Sequence, residues 1–525
     1  MKKNICVLCA VLLIADGFSE QTVSSGSQIE LDDAATVISE TGVVPEKEAI
    51  PDFSLILPLE TDSLPVLADA NISADALIQS EAPGSEDASS QDVFLEGAIG
   101  AGWPGFFSGD FSVYRNIGAE PFKLEFFHES VTGIGRHSAV DGYESQNTRL
   151  SGEKQFAFGE ALLLDAAAGY ETRTDGLQGK KSGFFDISRQ NITGSTIINW
   201  KPGDMLTVKG AADGVFNTQF MSSSTPTEPV TFFGAGTSVQ AVLEKDNWDG
   251  LVSLSYDFGM EQSRFEAGAA VSFGILDYAD VSLSASALLA KQASEDVLIP
   301  FAVNISTGSG ASFYGMLSGG LKSAAITPVS LQKETPFLMS GTTPAETTEW
   351  FFDAAADIPF YDIGVLNISA DFATTAYDGK RMLLDRSSFD SSTGLASVSN
   401  TDVTVLDSRF GVTIPMKIFN ASFGWNASWL DATRYDRTRD SSSALTLDVS
   451  FADESNVWSA GAGILWPANR TPEIGLNGCF QATKSVRFEL ELNDIVNIIS
   501  GEDRLICDTY AERGGYAALF VKVNF

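Results

Sequence analysis

From Asp92 to the last residue the sequence alternates between apolar and polar positions, and this period of two constrains the fold more than any motif. Phe107, Gly109, Phe111 and Val113 interleave with Ser108, Asp110, Ser112 and Tyr114. Phe265, Ala267, Ala269, Val271 and Phe273 interleave with Arg264, Glu266, Gly268, Ala270 and Ser272. The clearest run is Phe419-Ala421-Phe423-Trp425-Ala427-Trp429 against Asn420-Ser422-Gly424-Asn426-Ser428. Successive side chains of a strand point to opposite faces, so each run is a strand with one apolar and one polar face. Sandwich strands average about five to six residues, and no compact domain needs some twenty of them. Runs of about eight to eleven residues fit a transmembrane barrel instead, its apolar face toward lipid and its polar face toward a wet interior. The expected fold is all-β: a large antiparallel transmembrane β-barrel of about 18–22 strands over residues 92–525, preceded by a largely disordered acidic segment.

Composition agrees and narrows the partners. The 69 acids outnumber the 33 bases, for a net charge of −36, which argues against nucleic acid as a partner because polyphosphate binding rests on Lys and Arg. With 44% hydrophobic residues the chain can bury enough apolar surface to fold. Met1-Lys2-Lys3, the apolar run Ile5 to Ile14 and the small residues Ala15, Gly17 and Ser19 read as a secretory signal peptide over 1–19. Residues 20–91 form an acidic leader broken by Pro45, Pro51, Pro58, Pro65 and Pro83, with Lys47 its single base. Its bland reading is a disordered periplasmic segment; its sharper one is that a patch such as Phe53-Ser54-Leu55-Ile56-Leu57 adds as a strand to a periplasmic partner, or lies in the pore. Cys6 and Cys9 belong to the signal peptide, leaving Cys479 and Cys507. Bridging those two would require an external loop to fold down through most of the pore, since a disulfide needs Cα atoms within about 7 Å.

Connections alternate in length. Short ones fall at Trp103-Pro104-Gly105, Met260-Glu261 and Ala482-Thr483-Lys484; longer polar ones lie near 133–143, 221–229, 323–348, 385–401 and 431–443. Short periplasmic turns and long outer loops are expected of such a barrel. Trp103, Trp350, Trp458 and Trp466 stand near strand ends, where an interfacial aromatic girdle would lie.

Enzyme chemistry finds no constellation to rest on, and neither a cofactor nor a metal is expected. His128 and His137 are the only histidines and show no ligand spacing, and no phosphate-binding or nucleophile-elbow motif stands in a strand-to-helix context. The lumen is better described by charge. Alternation turns Arg264 with Glu266, Asp407 with Arg409, and Arg487, Glu489 and Glu491 inward. Such pairs either fix neighbouring strands or set a transverse field for zwitterionic or sugar solutes. The barrel region carries about −23, so cations should enter more readily than anions.

The last ten residues, Tyr516 to Phe525, alternate and end on an aromatic, with Leu519, Val521, Val523 and Phe525 on one face. This resembles the terminal strand by which the barrel-assembly machinery recognises bacterial outer-membrane barrels. The strand Val486 to Ile495, a loop of about twenty residues, and Arg513-Gly514-Gly515 before the final strand are similar to the end of TonB-dependent receptor barrels. The run Asp33 to Ser39 also resembles a TonB box. Those receptors carry a folded plug, whereas 20–91 is too short and Pro-rich to be one. The resemblance therefore implies a plug-less relative in the cell outer membrane, set in outer-membrane lipid: a channel or uptake porin for small hydrophilic or amphipathic solutes. The alternative is a surface-exposed adhesin or structural barrel presenting its loops. An autotransporter is disfavoured because strands occupy everything after Asp92 and leave no passenger.

Overall fold

The computed structural model describes residues 93–524, less 116–120 and parts of the later connections, of which 385–394 and 431–442 are the longest omitted, together with residues 44–45 and 79–80. The signal-peptide, leader and TonB-box readings, Cys507 and Phe525 lie outside the described residues.

Twenty-two antiparallel strands close into one barrel. In chain order they are β1 (Phe94–Trp103), β2 (Phe106–Arg115), β3 (Phe122–Ile134), β4 (Glu144–Phe158), β5 (Leu162–Gly176), β6 (Phe184–Gly203), β7 (Leu206–Ser223), β8 (Val230–Lys245), β9 (Trp248–Gly259), β10 (Gln262–Ile275) and β11 (Ala279–Lys291). There follow β12, in two pieces (Glu295–Leu298 and Phe301–Thr307), β13 (Tyr314–Ile326), β14 (Ala345–Ile363), β15 (Leu366–Leu384), β16 (Val398–Met416), β17 (Phe419–Leu430), β18 (Ser443–Ala452), β19 (Trp458–Pro467), β20 (Glu473–Thr483), β21 (Val486–Asn493) and β22 (Tyr516–Asn524). One short helix, α1 (Ile495–Ser500), lies between β21 and β22. Pro300 interrupts β12 because it has no N–H to give the ladder, and its carbonyl still accepts from the Ser286 N–H at 2.9 Å. β22 pairs with β1 to close the sheet, at a seam tight enough that a methyl group on Gly102 would collide with the Ala517 carbonyl oxygen.

The faces are inverted relative to a soluble protein. On β9, Val252, Leu254, Tyr256 and Phe258 are all exposed, while Ser253 and Ser255 between them are buried. Leu490 and Phe488 on β21 and Leu519 on β22 are likewise exposed, with Glu489 buried. Only a lipid environment makes an apolar exterior favourable, so the closed barrel spans a membrane, and a β-barrel of this kind belongs to the cell outer membrane. Trp103, Trp350, Trp458 and Trp466 are exposed near strand ends. Trp458 opens β19 at one rim and Trp466 lies near its end at the other, as an aromatic girdle requires.

The longest connections, 135–143, 177–183, 327–344, 385–397, 431–442 and 494–515, all follow outward-running strands and so leave from one rim. Their short counterparts, such as 204–205, 364–365 and 484–485, leave the other, which is the periplasmic side. Two short connections depart from the sequence expectation: 104–105 and 260–261 follow β1 and β9, which both run outward from the periplasmic end, and so lie at the outer rim.

Candidate functional site

The charges expected in the lumen do lie on the face opposite the exposed apolar residues, and they divide by depth. Arg264 and Glu266 flank exposed Phe265 near the outer end of β10; Arg264 Nη2 donates to Glu266 Oε2 and to the Ser323 carbonyl, both at 3.2 Å. Asp407 and Arg409 sit mid-strand on β16, facing the side opposite exposed Leu406 and Phe410. Near the periplasmic end Glu489 receives Arg487 at 2.7 Å and Lys522 at 2.8 Å, a bridge across β21 and β22. Tyr516 Oη donates to Glu491 at 3.3 Å. Cys479 is a free thiol on this inner face, opposite Glu489 in register.

A larger polar surface escaped the sequence reading. Strand register aligns Glu129, Asn147, Arg173, Arg189 and Gln219 across β3 to β7 as one lateral row. The row nearer the mouth contains Ser145, Asp175, Ile187 and Met221; the row below contains Phe127, Arg149, Glu171, Asn191 and Asn217. Lipid-exposed Tyr170, Ile192, Phe216 and Phe220 lie between these positions on the outer face. Asp175 is shared by two guanidiniums, Arg173 at 3.0 Å and Arg189 at 3.2 Å. Period-two reading of Tyr170-Glu171-Thr172-Arg173-Thr174-Asp175 holds the signal, since it sets Glu171, Arg173 and Asp175 on one face.

Above the rows an apolar cluster covers the mouth. Leu177, Phe337, Leu395 and Tyr510 come from four different outer connections and pack with Ile187 and Met221 of the wall, all nearly fully buried. Phe337 and Tyr510 stack with centroids 3.8 Å apart and planes 5° from parallel. Twenty-two strands about 4.8 Å apart and tilted about 40° enclose a barrel roughly 40 Å across. The connection holding Phe337 leaves the far side of that barrel from the one holding Leu177, so their meeting requires the loops to reach over the lumen.

The final outer connection, 494–515, is the keystone. Gln178 brackets Ala511 as a neighbouring strand would: its Nε2 donates to the Ala511 carbonyl at 2.7 Å, and the Ala511 N–H donates to its Oε1 at 2.8 Å. Within the connection Asp494 caps α1 by accepting from the Asn497 N–H, Gly501 ends the helix in the left-handed region, and Asn497 Oδ1 accepts from the Gly515 N–H at 2.7 Å. Arg504 joins Asp494 at 2.6 Å and Glu473 at 3.4 Å. Arg513 reaches Glu129 at 3.5 Å with its guanidinium over the rings of Phe106 and Tyr516. Across the rim Asp503 meets His137 at 2.9 Å, and His137 stacks on Tyr143 at 4.1 Å. Burial, then the carboxylates of Asp503 and Asp141, push the Tyr143 phenol above its ordinary value. His128 is different: it contacts exposed Phe107 on the outer face, at 2.8 Å from the Thr148 hydroxyl, and does not face the lumen.

No family model matches the chain, and no curated protein sequence matches it. Solved structures do match. The FrpB iron transporter from Neisseria meningitidis (F5-1 variant) aligns with a TM-score of 0.62 at 8% identity, over 83% of this chain and 83% of that one. The copper transporter OprC aligns with a TM-score of 0.58 at 13% identity, over 82% and 81%. For the siderophore receptor PirA from Pseudomonas aeruginosa the TM-score is 0.58 at 9% identity, over 83% and 81%. The barrel has the fold of TonB-dependent receptors. At such identities the likeness is one of backbone path. Among the described residues no group of three His, Cys, Asp or Glu side chains is arranged to hold a metal ion.

Proposed function

We propose that this chain is an outer-membrane uptake channel for small hydrophilic or amphipathic solutes, with the outer loops controlling entry. The observation that carries the reading is a roughly 40 Å barrel whose inner wall is polar and charged and whose mouth is covered by side chains from four separate loops. Transport is also the named role of the fold's iron and copper transporters. On this reading residues 1–19 direct export, and 20–91 form a plug-less leader that meets a periplasmic partner. Leu519, Val521, Val523 and Phe525 present the last strand to the barrel-assembly machinery. The inward pairs brace neighbouring strands and shape the field that a solute crosses, with no catalytic step and no cofactor. Liposome swelling with sugars of graded size is the test, run on the full chain and on a variant deleted for 20–91. Size-dependent swelling is expected; its absence from a barrel that keeps heat-modifiable gel mobility would overturn the channel.

A surface-exposed adhesin or structural barrel is the second reading. It is favoured by the cohesion of the loops and by the apolar Val140 and Ile499 that they leave exposed. The same swelling experiment separates the two, because a loop-presenting barrel conducts little.

A further inference from the structure

The inner wall holds a cation whose best hydrogen-bonding edge is unused. Arg189 is 4% exposed, and its Nη1 donates to Asp175, but its Nε and Nη2 have no partner among the described residues. Those two N–H groups form the side-on edge of the guanidinium, the pair that grips both oxygens of a carboxylate at once. A buried donor without a partner costs free energy that a fold ordinarily avoids. Here two such donors point the same way. Arg173 stands opposite Arg189 in register and competes with it for the single carboxylate of Asp175. The wall around them gathers cations in a strongly acidic chain: Arg149, Arg173 and Arg189 balance Glu129, Glu171 and Asp175. Immediately above, Ile187 and Met221 begin the apolar cluster with Leu177 and Tyr510. A charged fork below an apolar roof suits one kind of solute, a small amphipathic organic acid.

We infer that Arg189, with Arg173 beside it, binds the carboxylate of such an acid while Ile187, Met221 and Tyr510 receive its apolar body. The inference rests on the uptake reading and gives it a substrate class. Asp175 holds the guanidiniums in place and is at the same time the internal competitor of the incoming carboxylate.

The full chain in lipid nanodiscs, titrated calorimetrically with hexanoate and, separately, with hexylammonium, tests it. Hexanoate is expected to bind saturably and hexylammonium to give no comparable signal. Arg189→Gln is expected to weaken hexanoate at least tenfold, and Arg189→Lys to recover part of the loss, because it restores the charge but not the fork. Asp175→Asn, which removes the competitor, is expected to tighten hexanoate, and it keeps the test alive if the Arg189 variants do not fold. Equal binding of the two probes, or hexanoate affinity unchanged in both Arg189→Gln and Asp175→Asn, overturns the site. Swelling with neutral sugars is read in parallel. A barrel that passes sugars but ignores hexanoate refutes the site alone, and one that binds hexanoate without passing sugars refutes the uptake reading.

Discussion

Phe337→Ala should open the mouth of the barrel. The Phe337 ring is buried against Tyr510, itself 1% exposed, in a near-parallel stack. An aromatic side chain buries about 150–250 Å², which at about 25 cal/mol per Å² contributes roughly 4 kcal/mol, with about 1 kcal/mol more from the ring pair. Measured Phe-to-Ala losses in packed cores, about 3–5 kcal/mol, bracket that figure. The ring bridges loops and is not part of the sheet, so the cost falls on the closed arrangement of loops and spares the barrel. A loss of about 3 kcal/mol moves the closed-to-open ratio at least about a hundredfold. Two readouts follow. Hydrogen exchange of the Ala511 amide, held by Gln178 at 2.8 Å, should speed by a comparable factor, and the open fraction in planar bilayers should rise. Val140→Ala, at a side chain 94% exposed, is the control and should change neither. Unaltered exchange at Ala511 together with unaltered conductance in Phe337→Ala would refute the claim that this cluster closes the mouth.

Glu489→Ala leaves the inward guanidinium of Arg487 without its 2.7 Å partner and should cost the barrel about 3 kcal/mol in urea unfolding; a loss below about 1 kcal/mol would mean that the pair is effectively solvated. Raising the pH should loosen the Tyr143 contact. Its phenol is held above the ordinary value, so the stability it lends is intact below about pH 10 and is lost as pH climbs through the higher folded value. An ultraviolet difference titration against Tyr143→Phe that finds a midpoint at or below about pH 10 would contradict this. With about −23 charges in the barrel region, reversal potentials under a salt gradient should show cation preference, and anion preference would count against the electrostatic reading.

How far the sequence carries depends on whether a feature is periodic or long-range. Alternation in Phe419 to Trp429, or in Val252 to Phe258, is set by local geometry, so the strands and their apolar and polar faces could be read directly. Strand number was bounded by the same pattern, and the 22 strands stand at the upper edge of the expected range. The row Glu129-Asn147-Arg173-Arg189-Gln219 could not be read, because it exists only once the registers of four strand pairs are fixed. Nor could the cap: nothing local links Gln178 to Ala511, 333 positions apart, or Arg136 to Ser500. The connection 494–515 looked like an ordinary long loop because α1, with six residues, is too short to leave a periodic signal. His128 shows that polarity alone does not place a strand residue: its register and its contact with Phe107 put it on the outer face, where the Thr148 hydroxyl lies 2.8 Å from a ring nitrogen.

An anion-binding fork inside a cation-preferring barrel is consistent once depth is considered. Arg189 and Arg173 lie directly beneath the cap, so a solute entering from outside meets them before the rest of the wall. The acidic residues Asp165 and Glu153 sit toward the periplasmic end of the same sector, and Asp165 is ten residues along β5 from Asp175, about 30 Å at strand rise. Salt screens charges in a wet lumen beyond about 8 Å, so the acidic wall cannot cancel the field at Arg189. It can repel a carboxylate released further down, which biases the solute against lingering after it has left the fork. Bilayer reversal potentials sample the whole path with small ions and report the acidic majority, whereas hexanoate binding reports one guanidinium edge under an apolar roof. Arg189→Gln should therefore weaken the binding at least tenfold while leaving the reversal potential cation-selective, and a loss of cation selectivity in that variant would show that the two are not separate.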